Sequence, residues 1–171
     1  MFLTRATHPN AAQVLIYDTG PQRKGALLHK LSMHTGNVIC VAWCPGQDLL
    51  ATAGEDGRVG LFTPSLSQRE YIHLQGAAYG CDWGVYKGET LLASSCLDGL
   101  IYLHTVQQSG RPVLMTTLSG HLSKTFGVKF SPILEGRLAS RWGLLRCLLR
   151  TPPRCFRPVT AVLPHKHSHW H

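Results

Sequence analysis

Leu49-Leu50-Ala51-Thr52-Ala53-Gly54-Glu55-Asp56-Gly57-Arg58-Val59-Gly60-Leu61-Phe62 is matched, feature by feature, by Leu91-Leu92-Ala93-Ser94-Ser95-Cys96-Leu97-Asp98-Gly99-Leu100-Ile101-Tyr102-Leu103. Each stretch is a short apolar run carrying a hydroxyl residue, then an Asp-Gly pair, then a second short apolar run. Asp-Gly between two such runs marks a tight hairpin, in which Gly takes the positive φ and Asp accepts backbone hydrogen bonds. The two aspartates stand 42 residues apart. Upstream of each stretch an apolar run ends in tryptophan, Val38-Ile39-Cys40-Val41-Ala42-Trp43 and Ala78-Tyr79-Gly80-Cys81-Asp82-Trp83, and these tryptophans are 40 residues apart. A third copy opens at Ser119-Gly120-His121, runs through Phe126-Gly127-Val128-Lys129-Phe130-Ser131-Pro132 and reaches Leu138-Ala139-Ser140 without an Asp-Gly.

A period of about 40 to 45 residues with short apolar strands and one tight hairpin per unit is the pattern of a four-stranded propeller blade. Both alternating sets of the first inner run are apolar, Val38, Cys40 and Ala42 against Ile39, Val41 and Trp43. That predicts a sheet covered on both faces by neighbours. Strands are expected at 2–6, 13–18, 27–31, 38–43, 49–53, 58–62, 70–74, 79–84, 91–95, 100–104, 113–118, 126–130 and 137–140, with turn-rich segments such as Asp18-Thr19-Gly20-Pro21 between them.

These repeats resemble the WD-repeat (WD40) β-propeller family over roughly residues 2–140. Gly120-His121 matches the family's Gly-His element, and Tyr17-Asp18 sits where Trp-Asp usually falls. Phe62-Thr63 and His104-Thr105 depart from Trp-Asp, and Met33-His34 and Gln75-Gly76 stand near the Gly-His position. The resemblance implies a buried polar chain in each blade, made from the Gly-His histidine, a strand hydroxyl and the turn aspartate. Carried over residue by residue, His34, Thr52 and Asp56 form one set. Ser94 and Asp98 lack an obvious histidine, and His121 lacks an aspartate. The competing reading makes Asp56 and Asp98 ordinary exposed turn residues.

Thirteen strands make three blades and a remnant, at roughly 1–31, 32–74, 75–118 and an incomplete 119–140, whereas closed propellers have 4–8 blades. The expected architecture is therefore all-β, a WD40-type propeller segment with an open ring. Terminal repeats of such arrays carry polar caps, and none is evident. The chain reads as a segment of a longer propeller or a shortened product. Register is lost at Ser140, where the 141–171 tail begins without repeat similarity, as an intron read-through, alternative exon or frame change would produce.

Charge divides at the same place. Residues 1–140 hold 11 Lys/Arg and 9 Asp/Glu, a net +2, whereas 141–171 hold 6 Lys/Arg and no acid. The tail is expected to be disordered or partly helical: Leu144, Leu145, Leu148 and Leu149 share a helical face, suited to a membrane surface or an acidic partner. A helix this short is marginal alone. His165, His167, His169 and His171 alternate as weak, adventitious metal ligands. Stacking aromatics among the tail arginines are limited to Trp142 and Phe156, which weakens an RNA-binding reading.

No catalytic, cofactor or metal residues are assigned. Cys40, Cys44, Cys81, Cys96, Cys147 and Cys155 form no Cys-x-x-Cys, and Cys40, Cys81 and Cys96 fall within expected strands, as small core residues do. No phosphate loop, Gly-x-Ser-x-Gly or His-Glu-x-x-His occurs. Without a signal-peptide core or a run of membrane-spanning length, the expected setting is soluble and intracellular, in the cytoplasm. The functional expectation is a non-catalytic scaffold or adaptor for other proteins. Its candidate contacts are Thr35, Asn37, Gln75, Ser123 and Lys124, on loops held by a rigid sheet. Alternatives are an RNA-binding repeat module, or a truncated product without function.

Overall fold

The computed structural model describes residues 13–63, 65, 68–107, 109–142 and 146–150. The expected strand 2–6 and the alternating histidines His165, His167, His169 and His171 lie outside the described residues.

Thirteen strands are described, all in antiparallel pairs. The first sheet holds β1 (Val14–Tyr17) and β2 (Leu27–Leu31). A complete blade follows, β3 (Val38–Trp43), β4 (Leu50–Gly54), β5 (Arg58–Thr63) and β6 (Gln68–His73), paired in sequence order. The next blade repeats it with β7 (Ala78–Tyr86), β8 (Glu89–Cys96), β9 (Ile101–Val106) and β10 (Pro112–Leu118). The last sheet has three strands, β11 (Thr125–Phe130), β12 (Leu138–Trp142) and β13 (Arg146–Arg150). Inter-sheet packing follows sequence order, β3 on β7 and β7 on β11, so the chain forms an all-β, open segment of a WD40-type propeller.

Two expectations are corrected. Of the helix expected through Leu144, Leu145, Leu148 and Leu149, the part within Arg146–Arg150 is strand β13 instead, in register with β12 from Leu138↔Arg150 to Trp142↔Arg146, while Leu144 and Leu145 lie outside the described residues. A nine-residue helix gains little alone, whereas the free edge of β12 offers a full ladder of backbone partners. The uniform cover expected for β3 also fails on one face, where Trp43 is 45% exposed and Ile39 40%. The sixth residue of each inner strand faces the preceding blade. Trp83 packs on the second sheet and donates Nε1–H to the Ala42 carbonyl at 2.9 Å, and Phe130 packs over Gly84 of the third. Trp43 faces the first sheet, whose β1 and β2 meet Val38 and Val41 instead.

Central strands carry the core because neighbours cover both their faces. Every residue of β4 is buried, as are Leu91–Cys96 of β8. Three apolar clusters fill the seams, centred on Leu31, Met33 and Phe62, on Ala51, Trp83 and Leu92, and on Leu103, Val128 and Leu138. Polar ties cross the same seams. Asp82 accepts from Lys129 Nζ at 2.7 Å and from the Phe130 amide at 2.8 Å, and Gln47 Nε2 donates to Thr90 Oγ1 at 2.8 Å. Both Asp-Gly turns use positive φ, 76° at Gly57 and 86° at Gly99. Each turn also presses on the next blade, a Cβ on Gly99 falling 2.9 Å from the Ser123 carbonyl oxygen.

Candidate functional site

The loop 32–37, the strand β4 and the turn 55–57 converge on one end of the second blade. There His34 Nδ1 lies 2.9 Å from Asp56 Oδ1 and His34 Nε2 lies 2.8 Å from Thr52 Oγ1. With Asp56 ionised, Nδ1 carries the ring proton and donates it, and in the neutral ring Nε2 accepts from the Thr52 hydroxyl. Thr52 Oγ1 also stands 3.3 Å from the Gly60 carbonyl oxygen of β5, an alternative acceptor for its one hydroxyl proton. Asp56 further accepts from the Thr35 amide at 2.8 Å and the Arg58 amide at 3.1 Å. Burial works against the Asp56 carboxylate, but His34, the Thr35 amide and the Arg58 amide outweigh it and hold its pKa below the ordinary value.

No such set forms in the third blade. Asp98 is exposed and serves its own hairpin, accepting from the Leu100 amide at 2.8 Å and from Tyr102 Oη–H at 2.7 Å. Burial and this carboxylate together push the Tyr102 phenol well up. Ser94 is fully buried, and its hydroxyl has no hydrogen-bond partner among the described residues. The reason is the residue four places before the inner strand: it is Leu74 here and His34 in the second blade, so no imidazole spans the hydroxyl and the carboxylate. In the fourth sheet His121 Nε2 meets Ser140 Oγ at 2.8 Å, and the His121 ring lies 6.3 Å from the Trp142 ring, tilted by 52°.

The contact residues expected on the loops all lie on this end of the blades. Thr35 and Asn37 are exposed but bonded within their blade, Thr35 to Asp56 and Asn37 Nδ2 to Glu55 Oε2 at 2.8 Å. Gln75, Ser123 and Lys124 are exposed. Sequence reading missed the feature that joins these loops. Each inner strand breaks register at its second residue, between Val38 and Cys40, Ala78 and Gly80, and Thr125 and Gly127. Such a bulge unpairs one residue and re-aims its side chain. The bulged residues are Ile39, Tyr79 and Phe126, and the Tyr79 and Phe126 rings lie 5.0 Å apart across the seam. Phe126 is 36% exposed, and Leu122 in the adjoining loop is 87% exposed. Aromatic or branched residues recurring one place before Cys40, Gly80 and Gly127 were the available signal.

Among the described residues no group of three or more His, Cys, Asp or Glu is placed to hold a metal ion. No helix among them is long and apolar enough to cross a membrane.

Comparison with known proteins agrees with this geometry. Residues 25–63, from β2 to the end of β5, match the family model WD40, described as WD domain, G-beta repeat. No curated protein matches the chain. The crystal structure of the computationally designed Ika4 protein superposes with a TM-score of 0.66 at 16% identity, covering 82% of this chain and 79% of that one. That likeness is one of fold.

Proposed function

We propose that the chain is a non-catalytic WD-repeat scaffold that binds other proteins through the loop-bearing end of its blades. The observation that carries this reading is the apolar row of Ile39, Tyr79 and Phe126, displayed by three equivalent bulges beside exposed Leu97 and Leu122. Exposed apolar and aromatic residues grouped on a rigid frame and rimmed by polar loops are the composition of a protein-binding patch. The near-neutral repeat region favours a protein partner over RNA, whose binding rests on phosphate neutralisation. On the same reading His34, Thr52 and Asp56 are structural: they fix the loop 32–37 rather than touch a partner. The WD40 match within 25–63 and the continuing repeats support membership of the WD-repeat family for the chain. The phrases Ala78-Tyr79-Gly80-Cys81-Asp82-Trp83 and Leu118-Ser119-Gly120-His121 followed by Val128-Lys129-Phe130-Ser131-Pro132 look most like WD repeat-containing protein 17. An intracellular setting suits the reading, with Cys40, Cys44, Cys81 and Cys96 all free thiols.

The test is affinity capture with the full chain and with a Tyr79→Ala/Phe126→Ala chain of equal melting temperature. The reading expects specific proteins retained by the first and lost by the second. An identical set of captured proteins for both chains overturns it.

A further inference from the structure

We propose that Cys40 and Cys81 form a thiol pair that a hydroperoxide oxidises to a disulfide, joining the inner strands of the second and third blades. Cys40 is the third residue of β3 and Cys81 the fourth of β7, so the two meet across the seam between blades. Cys40 Sγ lies 3.5 Å from the Cys81 carbonyl oxygen, to which its thiol donates, and the Cys81 side chain adjoins it. At the equivalent place in the next seam stands Gly80, where a Cβ would fall 3.3 Å from Gly127 Cα. The inner strands run that close together, and Cys40 puts a sulfur into a gap that the neighbouring seam leaves to glycine.

The two thiols differ in access and in acidity. Cys40 is half-buried and Cys81 fully buried. The hydrogen bond from the Cys81 thiol draws Cys40 down to about 6 against the effect of burial, with help from the Cys81 backbone and the Lys129 ammonium. The same contact and its burial push Cys81 well above the ordinary thiol value. Cys40 is thus the more acidic thiol of the pair and Cys81 the less acidic one. In the first step the Cys40 thiolate attacks the terminal oxygen of the hydroperoxide. The O–O bond breaks, Cys40 becomes a sulfenic acid and the peroxide is reduced to hydroxide or alkoxide, which takes up a proton from water. In the second step the Cys81 sulfur attacks the sulfenic sulfur, its proton joins the departing hydroxyl, and water leaves as the S–S bond forms.

Two other described cysteines serve as internal references. Burial pushes Cys44 up to about 11, and Cys96 is also raised, chiefly by burial. The experiment labels the reduced full chain with iodoacetamide at neutral pH and maps the rate at each cysteine. Cys40 is expected to react about a hundredfold faster than Cys44, roughly four powers of ten in thiolate fraction less about two in nucleophilicity. In denaturant that difference is expected to vanish. After hydrogen peroxide, non-reducing peptide mapping is expected to recover Cys40 linked to Cys81, and Cys81→Ser to leave Cys40 as a sulfenic acid trapped by a 1,3-dione. Equal native labelling of Cys40 and Cys44, a ratio that survives denaturant, or oxidised chain in which Cys40 pairs elsewhere or stays reduced overturns the proposal. The labelling of the unmutated chain needs no variant to fold, and it stands apart from the protein-binding reading.

Discussion

At the scale of single residues, the His34, Thr52 and Asp56 chain shows how a weak interaction becomes decisive when it is buried. A net hydrogen bond contributes about 1 kcal/mol, but orphaning a buried partner costs about 1–3 kcal/mol. His34→Ala removes the ring that both Thr52 and Asp56 face, so a loss of about 1–3 kcal/mol is expected in urea unfolding. In an Asp56→Ala background the same change is expected to cost much less, because the ring has already lost one partner. Additive losses would show that the three residues do not act as a unit. Gly54→Ala reaches the same chain from the backbone: its Cβ would sit 2.4 Å from His34 Nδ1 and 2.8 Å from Asp56 Oδ1. It is expected to destabilise about as much as His34→Ala and to add little to it. The sequence made this chain legible through resemblance to WD repeats, since nothing in the spacing of 34, 52 and 56 alone dictates a contact. It could not show that Asp98 stays in its own turn, because that outcome depends on Leu74, an apolar residue with no signal of its own.

Among the elements, the hairpins were legible where turn chemistry was explicit and not elsewhere. Asp56-Gly57 and Asp98-Gly99 announced their turns. Lys87-Gly88 closes β7 onto β8 with φ of 51° and 79°, yet Lys is not a residue that signals positive φ, and both strands run further than their apolar cores suggested. The bulges at Ile39, Tyr79 and Phe126 were hidden for a related reason: a bulge changes pairing without changing the apolar pattern. The β9 strand carries a pH-sensitive element in His104, which burial draws down to about 4. The unfolded chain therefore binds a proton near the ordinary histidine value of 6.5, while the folded chain does not until about pH 4. Stability from this residue is intact above pH 6.5 and is lost as pH falls toward 4. Melting curves across that window should lose much of their pH slope in His104→Leu, and an unchanged slope would assign acid sensitivity to other groups. Between elements, Asp82 ties β7 to β11. Lys129→Ala should cost about 0–1 kcal/mol, as for any exposed ion pair. Asp82→Ala should cost more, because the Phe130 amide loses its acceptor as well.

At the scale of the whole molecule, blades that cannot stand alone are held together by their seams. The seams on either side of the third sheet each combine an apolar cluster with directed bonds, Trp83 to Ala42 in one and the Phe130 amide to Asp82 in the next. This architecture followed from the repeat period, whereas the strand β13 did not, because Arg146–Arg150 carries no repeat pattern and forms by pairing with the open edge of β12. The measurement that tests the account most directly is hydrogen–deuterium exchange on the native full-length chain. The stacked open propeller predicts the slowest exchange in β4 and in Leu91–Ser95 of β8, which lie within their sheets and are buried on both faces. It predicts faster exchange at the edge strands β6, β10 and β13. Uniformly fast exchange, or protection no greater in β4 and β8 than at those edges, would contradict it.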